Sequence, residues 1–535
     1  MHPNVIRASP TTVLSDEQYV YGHVLEALTG GLYPNKLDVL REYVQNAYDA
    51  IREYRLLGEN PNECSIRIYT RAGSVLIYDN ATGMDLNTLQ EYRKLGFSKK
   101  PLGQYAGWRG IGKAAGLAVA EKLIVTTHPL GRQEAHQLEF RAAEMLKVVR
   151  EFRSKGENIP LNQLIQQYSN IESCEESKKK HYTTVELCKI NPDSKELLDE
   201  HRLIAHLSQI SPVPFCPDFQ FAKKITRNLA QHIEDYLPVK MFVNGEQIYK
   251  PYRNTWGPRD DRMEVEEPEF LPVYDQEDLV AYCWYCMNAG KGQINRPVVV
   301  ARQLVDISGL VYRIDDIRIG DAQLVRRTAW TASPERAFYA MGEIHILDPR
   351  IEPTSDRNDL QDNFARLQLY NRCNNIIAGE INRKAGRHSA ELRAEEKISQ
   401  DYDIIGDLQR RMKRGRVQKE LVPHVIYKAT LVKEDVQKRK RYAVNTQTIK
   451  KAERIVRIAD GILRKMVPLT SPDVSEQDLA KTVLDFPREM NLSNETTAVY
   501  NSVMRVLRDF FLNDPDIYEE LVQRIQQDLR RAFTK

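Results

Sequence analysis

The chain has 535 residues, 42% hydrophobic and 28% charged, with 77 Lys and Arg against 74 Asp and Glu and a net charge of +3. That length exceeds one domain and predicts three or four, while a mean hydropathy of −0.52 and the lack of any apolar run near ~18 residues exclude a helical membrane span. Seven scattered cysteines form no disulfide framework, and the N-terminus lacks the apolar core of a secretory signal, so a reducing cytoplasm without a membrane partner is the expected setting. In chain order, Tyr19–Leu187 reads as a mixed α/β unit. YVYGHVLEAL and LDVLREYVQNAYDAIREYRLL carry helical periodicity. CSIRIYTRAGSVLIYDN is a strand, a turn at Ala72-Gly73 and a second strand ending at Asp79. GLAVAEKLIVTTH predicts a helix passing into a strand, residues 145–181 a charged excursion of weak periodicity, and HYTTVELCKI a strand.

A second unit, about Leu203 to Asn363, is α+β in character: VKMFVNGEQIY has an Asn244-Gly245 turn, and LVAYCWYCM, PVVVARQLV, LVYRIDDIRIG and GEIHILD alternate like strands. Cys283 and Cys286 form a lone CxxC without a second pair or nearby histidines, which is weak support for a metal. From Leu367 onward the pattern is helical, with Ile455, Ile458, Ile462 and Met466 on one face, Ile517, Leu521, Ile525 and Leu529 on another, and prolines 468, 472, 487 and 515 dividing the helices. Residues 381–466 hold 23 Lys and Arg against 11 Asp and Glu, an excess of +12 that leaves the remainder near −9. Such a region suits nucleic acid, although the solvated face of long helices is the commoner cause.

Three segments carry chemistry. On a helix, Glu42, Asn46 and Asp49 leave from one face. A carboxylate, an amide and a second carboxylate there suit a phosphate, a metal ion and a reactive water. Glu42 is the candidate general base, a role worth about 10² to 10⁴ in rate; from spacing alone, a solvated helix glutamate or a partner of Arg41 or Arg52 is the stronger reading. Asn46 offers an amide oxygen to Mg²⁺, which takes few protein ligands; Asp49 is given no chemistry. Asp79 ends a strand where it can accept from the exocyclic amine of adenine, with Gly83 allowing close backbone approach and Met84 an adaptable apolar wall. Gly107, Gly110 and Gly112 precede a small-residue segment, and Lys113 adds positive charge, as a phosphate cradle requires. No GxxxxGK[ST] loop is present. These segments together predict an ATPase.

Their order and flanks resemble one superfamily, the Bergerat-fold or GHKL ATPases shared by DNA gyrase B, heat-shock-protein-ninety chaperones, histidine kinases and MutL. GLYPNKLDVLREYVQNAYDAIREYR is most similar to the chaperone first motif, DNATGM to DxGxGM, GQYAGWRGIGKAAG to the third motif, and YTTVEL to the closing GTxV strand. The resemblance implies Glu42 as base, Asn46 as magnesium ligand and Asp79 as adenine reader. It also implies nucleotide contacts at Gly83, Met84, Gly107, Gly110, Ile111, Gly112, Lys113 and Thr183, with Ser98 and Lys99 in a lid around 95–107. Ala81 and Tyr182 replace family glycines, which predicts a slightly reshaped base pocket. Downstream, GEIHILDPRIEPTSDRNDLQDN resembles the chaperone middle-domain segment, making Arg357 the residue that reaches the γ-phosphate, assisted by Gln361. Without the resemblance, Arg357 would simply pair with Asp356 or Asp359.

The expected fold is α+β: a Bergerat α/β-sandwich ATPase domain over 1–200, an α+β transducer-like domain over 201–370, and an all-helical region over 371–535 for dimerisation or partner binding. The expected function is an ATP- and Mg²⁺-dependent, chaperone-like clamp, homodimeric, closing a lid over nucleotide and acting on a protein client. The alternative is a DNA-associated clamp of the MutL or MORC kind using residues 381–466.

Overall fold

The computed structural model describes residues 21–22, 25, 33–94, 112–259, 262–290, 292–415, 421–467, 494–510, 521–527 and 529–530. Helix α1 (Asp38–Leu56) buries Val39, Leu40, Tyr43, Val44, Ala47 and Ile51, the three-and-four spacing of a helix laid on a sheet. Strands β1 (Ile66–Arg71) and β2 (Ser74–Asp79) form a hairpin through Gly73, whose φ of +79° suits glycine. Helix α2 (Leu86–Tyr92) follows, capped by Asp85, which accepts from the Thr88 N–H at 2.8 Å. The expected helix before the next strand is a 3₁₀ segment, Gly112–Ala118, because two glycines in seven residues disfavour an α-helix. It leads into β3 (Ala120–His128) and β4 (Glu134–Phe140).

The stretch read as an excursion is more regular than expected. It holds α3 (Ala142–Ser154), α4 (Leu161–Tyr168) and strand β5 (Ser169–Glu175). Strand β5 is exposed at most positions, which is why its alternation is faint in the sequence. Then come β6 (Tyr182–Ile190), α5 (Glu200–Ile210), α6 (Ala222–His232), β7 (Met241–Val243) and β8 (Glu246–Ile248). One eight-stranded sheet results, in the order β5-β4-β3-β6-β2-β1-β7-β8, antiparallel except between β1 and β7. Its inner face packs on α1 and α3 and its outer face is half-exposed, giving a two-layer α/β sandwich. The expected boundary at 200 falls short of this sheet: β7 pairs with β1, and the β7–β8 turn at Asn244 and Gly245 has both φ values positive, as a tight two-residue hairpin needs.

Next in the chain are a two-stranded ribbon of β9 (Thr255–Trp256) and β10 (Met263–Glu264), then β11 (Glu269–Asp275), β12 (Asp278–Met287), β13 (Val298–Val300), β14 (Gln303–Val305), β15 (Gly309–Ile314) and β16 (Ile317–Ile319). Helix α7 (Ala322–Ala329), strand β17 (Ala340–Ile346) and helix α8 (Phe364–Cys373) complete this part. The second sheet runs β11-β12-β17-β15-β16, with β15 and β17 parallel. LVYRIDDIRIG is thus a hairpin, turning at Asp315 and Asp316. Cys283 and Cys286 lie three apart on β12, enter different cores, and burial pushes both thiols up, so they form no ligand pair.

A buried ionic cluster ties this sheet to the first. Lys250 Nζ lies 2.6 Å from Asp316 Oδ1 and 2.9 Å from Glu343 Oε2, and Arg313 Nε 2.5 Å from Glu343 Oε1. Trp284 and Tyr252 also donate to Glu343. Burial opposes the Glu343 charge, but Arg313 and Lys250 hold the carboxyl well below its usual range. Arg313 also donates to the Gln209 and Ser211 carbonyls, satisfying the C-terminus of α5.

By compactness the chain divides into Met1–Ala385 and Gly386–Lys535, a division within helix α9 (Gly379–Lys413). In the second unit α10 (Val422–Lys440) and α11 (Thr446–Met466) pack through Val425, Ala429, Val432, Val436, Ile455, Ala459 and Ile462. Ile458 is only partly buried on this face. On α12 (Asn494–Phe510), Tyr500 and Met504 pack on Val522, Ile525 and Leu529. Among the described residues no helix is long and apolar enough to cross a membrane.

Candidate functional site

The α1 face faces a glycine. A Cβ added at Gly112 would overlap the Glu42 carboxylate, so this carboxylate packs directly on the start of the 3₁₀ segment. Among the described residues Glu42 Oε1 is buried without a hydrogen-bond partner. A buried acceptor in this state costs free energy unless a donor arrives, and a water or ligand group satisfies it. Asn46 is half-buried one turn on, and Asp49 is 1% exposed. The small residues after Gly112 have a packing role: the Gly116 N–H donates to the Tyr43 hydroxyl at 2.7 Å, and a Cβ there would strike that oxygen and Leu187.

Three neighbouring strands build the second corner. Asp79 on β2 pairs in register with Thr183 on β6, which pairs with Thr127 on β3, forming a polar row on the inner face. Asp79 is 5% exposed; burial pushes its carboxyl up to about 7, opposed by the Ala81 N–H that donates to it at 3.1 Å. Thr127 Oγ1 accepts from the Met84 N–H at 2.7 Å and lies 3.3 Å from Thr183 Oγ1. Thr127 was not singled out by sequence; its only signal there is the strand parity it shares with Val125. Gly83 has φ +65° and lies so close to the His128 carbonyl that no Cβ fits. Tyr182 does not reshape the pocket as expected. Side chains alternate along β6, and its ring leaves from the outer face, stacked on Tyr78 and His128, with its hydroxyl on Glu176. Ala81, the other departure, is fully buried, and its carbonyl accepts from His181 Nδ1 at 2.7 Å.

Lys113 departs from the simple phosphate cradle. Its ammonium is buried, donates to the Glu91 carbonyl at 3.1 Å and lies over the Tyr92 ring, and burial pushes it down to about 8. Ser98, Lys99, Gly107, Gly110 and Ile111, with the lid around 95–107, lie outside the described residues.

Arg357 arrives from the second sheet. Arg41 Nη2 donates to the Asp356 carbonyl at 2.6 Å, seating residues 354–359 against α1. Arg357 itself has φ +53°, donates its N–H to the Thr354 carbonyl at 3.0 Å, and is 7% exposed. Burial lowers its pKa, while the Glu42, Asp49 and Asp315 carboxylates favour its charge. Asp356 is held by Thr354 and Asn358, and Asp359 by Arg327. Tyr33 is buried in the same group, its phenol pushed up by burial and by Glu42. Gln361 bonds Glu352 within its own loop, through both its N–H (2.7 Å) and its amide (3.3 Å).

The geometry thus joins a carboxylate with an orphan oxygen, a buried acid beside two threonines, and an arginine from another sheet. These residues fit ATP and Mg²⁺: an acceptor for the adenine amine, backbone open to close approach, and an amide beside a base. Residues 36–183 match the family described as histidine kinase-, DNA gyrase B-, and HSP90-like ATPase. The chaperone protein HtpG of Rickettsia rickettsii (strain Sheila Smith) is 26% identical over 137 residues, 22% of this chain and 22% of its own length. That of Rickettsia prowazekii (strain Madrid E) is 26% identical over 140 residues, with the same coverage. The matched part is therefore 22% of the length of these curated relatives. The part that is similar to this family, residues 36–183, holds Glu42, Asn46, Asp79, Gly83, Gly112 and Thr183.

Proposed function

We propose that the chain hydrolyses ATP and works as a chaperone-like molecular clamp. The observation that carries this reading is the burial of Arg357 beside Glu42, with Arg41 on the Asp356 carbonyl. Glu42 orients and deprotonates the attacking water; its unpartnered Oε1 is the acceptor for that proton. Asp79 accepts from the adenine amine, and Thr183 and Thr127 hold the base edge and its water. Arg357 stabilises charge on the transferring phosphoryl group, a contribution of about 10³ to 10⁵ when arginine acts so in other systems. Asn46 would hold Mg²⁺, which neutralises phosphate charge. In this reading nucleotide closes the 95–107 segment, two N-terminal domains meet, and a protein client is acted on in the cytoplasm.

The basic region lends less to a DNA clamp. Arg411 bonds Asp407, Arg439 bonds Asp401 and Asp435, Lys433 bonds Asp460 and Lys440 bonds Glu453. The basic residues at 410–415 and 437–442 flank opposite ends of α10, a helix about 28 Å long. Steady-state hydrolysis with parallel nucleotide binding tests the proposal. Glu42→Ala binds ATP without turnover, and Asp79→Asn loses binding; normal turnover in Glu42→Ala refutes the assignment. Duplex binding that weakens steeply with salt would favour the DNA reading.

A further inference from the structure

Arg41 and Arg52 lie on one stripe of α1, eleven residues apart, or about three turns and 16 Å. Each reaches a turn of the second sheet. Arg41 holds the Asp356 carbonyl, and Arg52 Nη1 holds Asp315 Oδ1 at 3.1 Å, a half-buried pair. Asp315 and Asp316 are the two turn residues of the β15–β16 hairpin, with φ values of +50° and +56°. Left-handed aspartates persist only where surroundings impose them; here Arg52 holds one and Lys250 the other. The same hairpin reaches the arginine loop at its far end, where the Gly320 N–H donates to the Arg357 carbonyl at 2.8 Å. Lys250 and Gln209 also hold this hairpin, through Asp316 and Arg318, but on the Arg52 side a cavity of about 450 Å³ lies alongside, lined by Tyr48, Arg52, Tyr236, Asp315, Glu352 and Arg357.

We infer that Arg52 and Asp315 are positioning residues for ATP hydrolysis: their ion pair seats the β15–β16 hairpin on α1, and through Gly320 the hairpin sets Arg357 against Glu42. The inference rests on the roles proposed above for Glu42 and Arg357. Neither Arg52 nor Asp315 reaches the reacting atoms; they act through Arg357. A catalytic group displaced by about 1 Å loses up to about a hundredfold in rate, while nucleotide affinity, set by Asp79 and the threonines on the other corner, is untouched.

The test measures hydrolysis and, separately, binding of a non-hydrolysable ATP analogue for the full chain, Asp315→Asn, Arg52→Gln, the double variant and Arg52→Lys. Asn tolerates the left-handed turn, and the unfolding midpoint verifies the fold. Expected are a fall in kcat of about ten- to a hundredfold in each single variant and an analogue Kd within about twofold of wild type. The double variant is no slower than the slower single, and Arg52→Lys recovers most of the rate. Unchanged kcat in Asp315→Asn, losses that multiply in the double variant, or a Kd that weakens in step with kcat overturns the inference. Arg357→Ala separates the two levels. If it turns over normally, the arginine role falls and the brace with it. If it is inactive while Asp315→Asn is fully active, the brace alone falls. A wild type without turnover refutes the ATPase reading itself.

Discussion

Arg41 donates to the backbone carbonyl of Asp356 at 2.6 Å, across a separation of 315 residues. This bond brings a loop of the second sheet onto the helix that carries Glu42, and Arg357 follows it into the site. In the proposed reading the base, Glu42, stands on a helix of the first sheet's layer and the charge-stabilising cation, Arg357, on a loop of the second sheet.

Asp79 sets a pH dependence. Burial raises its folded pKa to about 7 from an ordinary value of 3.8. The fold thus favours the protonated acid, and this stabilisation is complete below the unfolded value. It is lost as pH rises toward 7, because the unfolded chain has already ionised. The unliganded protein should lose thermal stability between about pH 4 and pH 7 through this group, and Asp79→Asn should flatten that slope. Adenosine affinity should move oppositely, strengthening by up to about tenfold between pH 6 and 8 as an ionised acceptor replaces a neutral one. Calorimetric titration with adenosine avoids phosphate ionisation; a pH-independent Kd would remove Asp79 from base reading.

Gly112 and Gly83 should fail differently. A methyl group at Gly112 meets the movable Glu42 carboxylate, whereas one at Gly83 meets the His128 backbone at a left-handed φ. Gly112→Ala is expected to fold, bind the ATP analogue and lose about a hundredfold in kcat through a misplaced base. Gly83→Ala is expected to lower the unfolding midpoint and weaken nucleotide binding. Melting curves, analogue binding and turnover on both variants make the comparison.

Thr127→Val keeps volume but leaves the Met84 N–H without its acceptor. A loss of about 1 kcal/mol in urea unfolding is expected, together with weaker adenosine binding, since Met84 and Thr183 both lean on this hydroxyl. Unchanged adenosine affinity would reduce Thr127 to a structural role.

Two ion pairs of equal length should differ in what their loss costs. Lys250–Asp316 and Lys224–Glu267 both measure 2.6 Å, but the first is buried and the second largely exposed. Asp316→Asn, which leaves Lys250 short of a buried negative charge, should cost about 3 kcal/mol or more. Glu267→Gln should cost less than about 1 kcal/mol. Urea denaturation of the two variants decides.

The residues proposed to touch a nucleotide stand out along the chain for a local reason. Glu42, Asn46 and Asp49 share a face because helix periodicity places them there, and Asp79 meets a turn because its strand ends. Turn chemistry at Gly73 and Asn244-Gly245 is equally local. Other features were hidden because they belong to pairings between distant segments. Thr127 entered the site only when β3 and β2 flanked β6, and Tyr182 left it only through strand parity in the finished sheet. Lys113 looked like a phosphate ligand until α2 supplied the Glu91 carbonyl. Sequence alone therefore determined the chemical groups of the ATPase corner, since these are written in short-range spacing. Tertiary structure decided that Arg357 is buried beside Glu42 rather than paired at the surface, and that Asp315 and Arg52 brace it. Those relationships depend on which charged groups are jointly withdrawn from water, and only the packed sheets determine that.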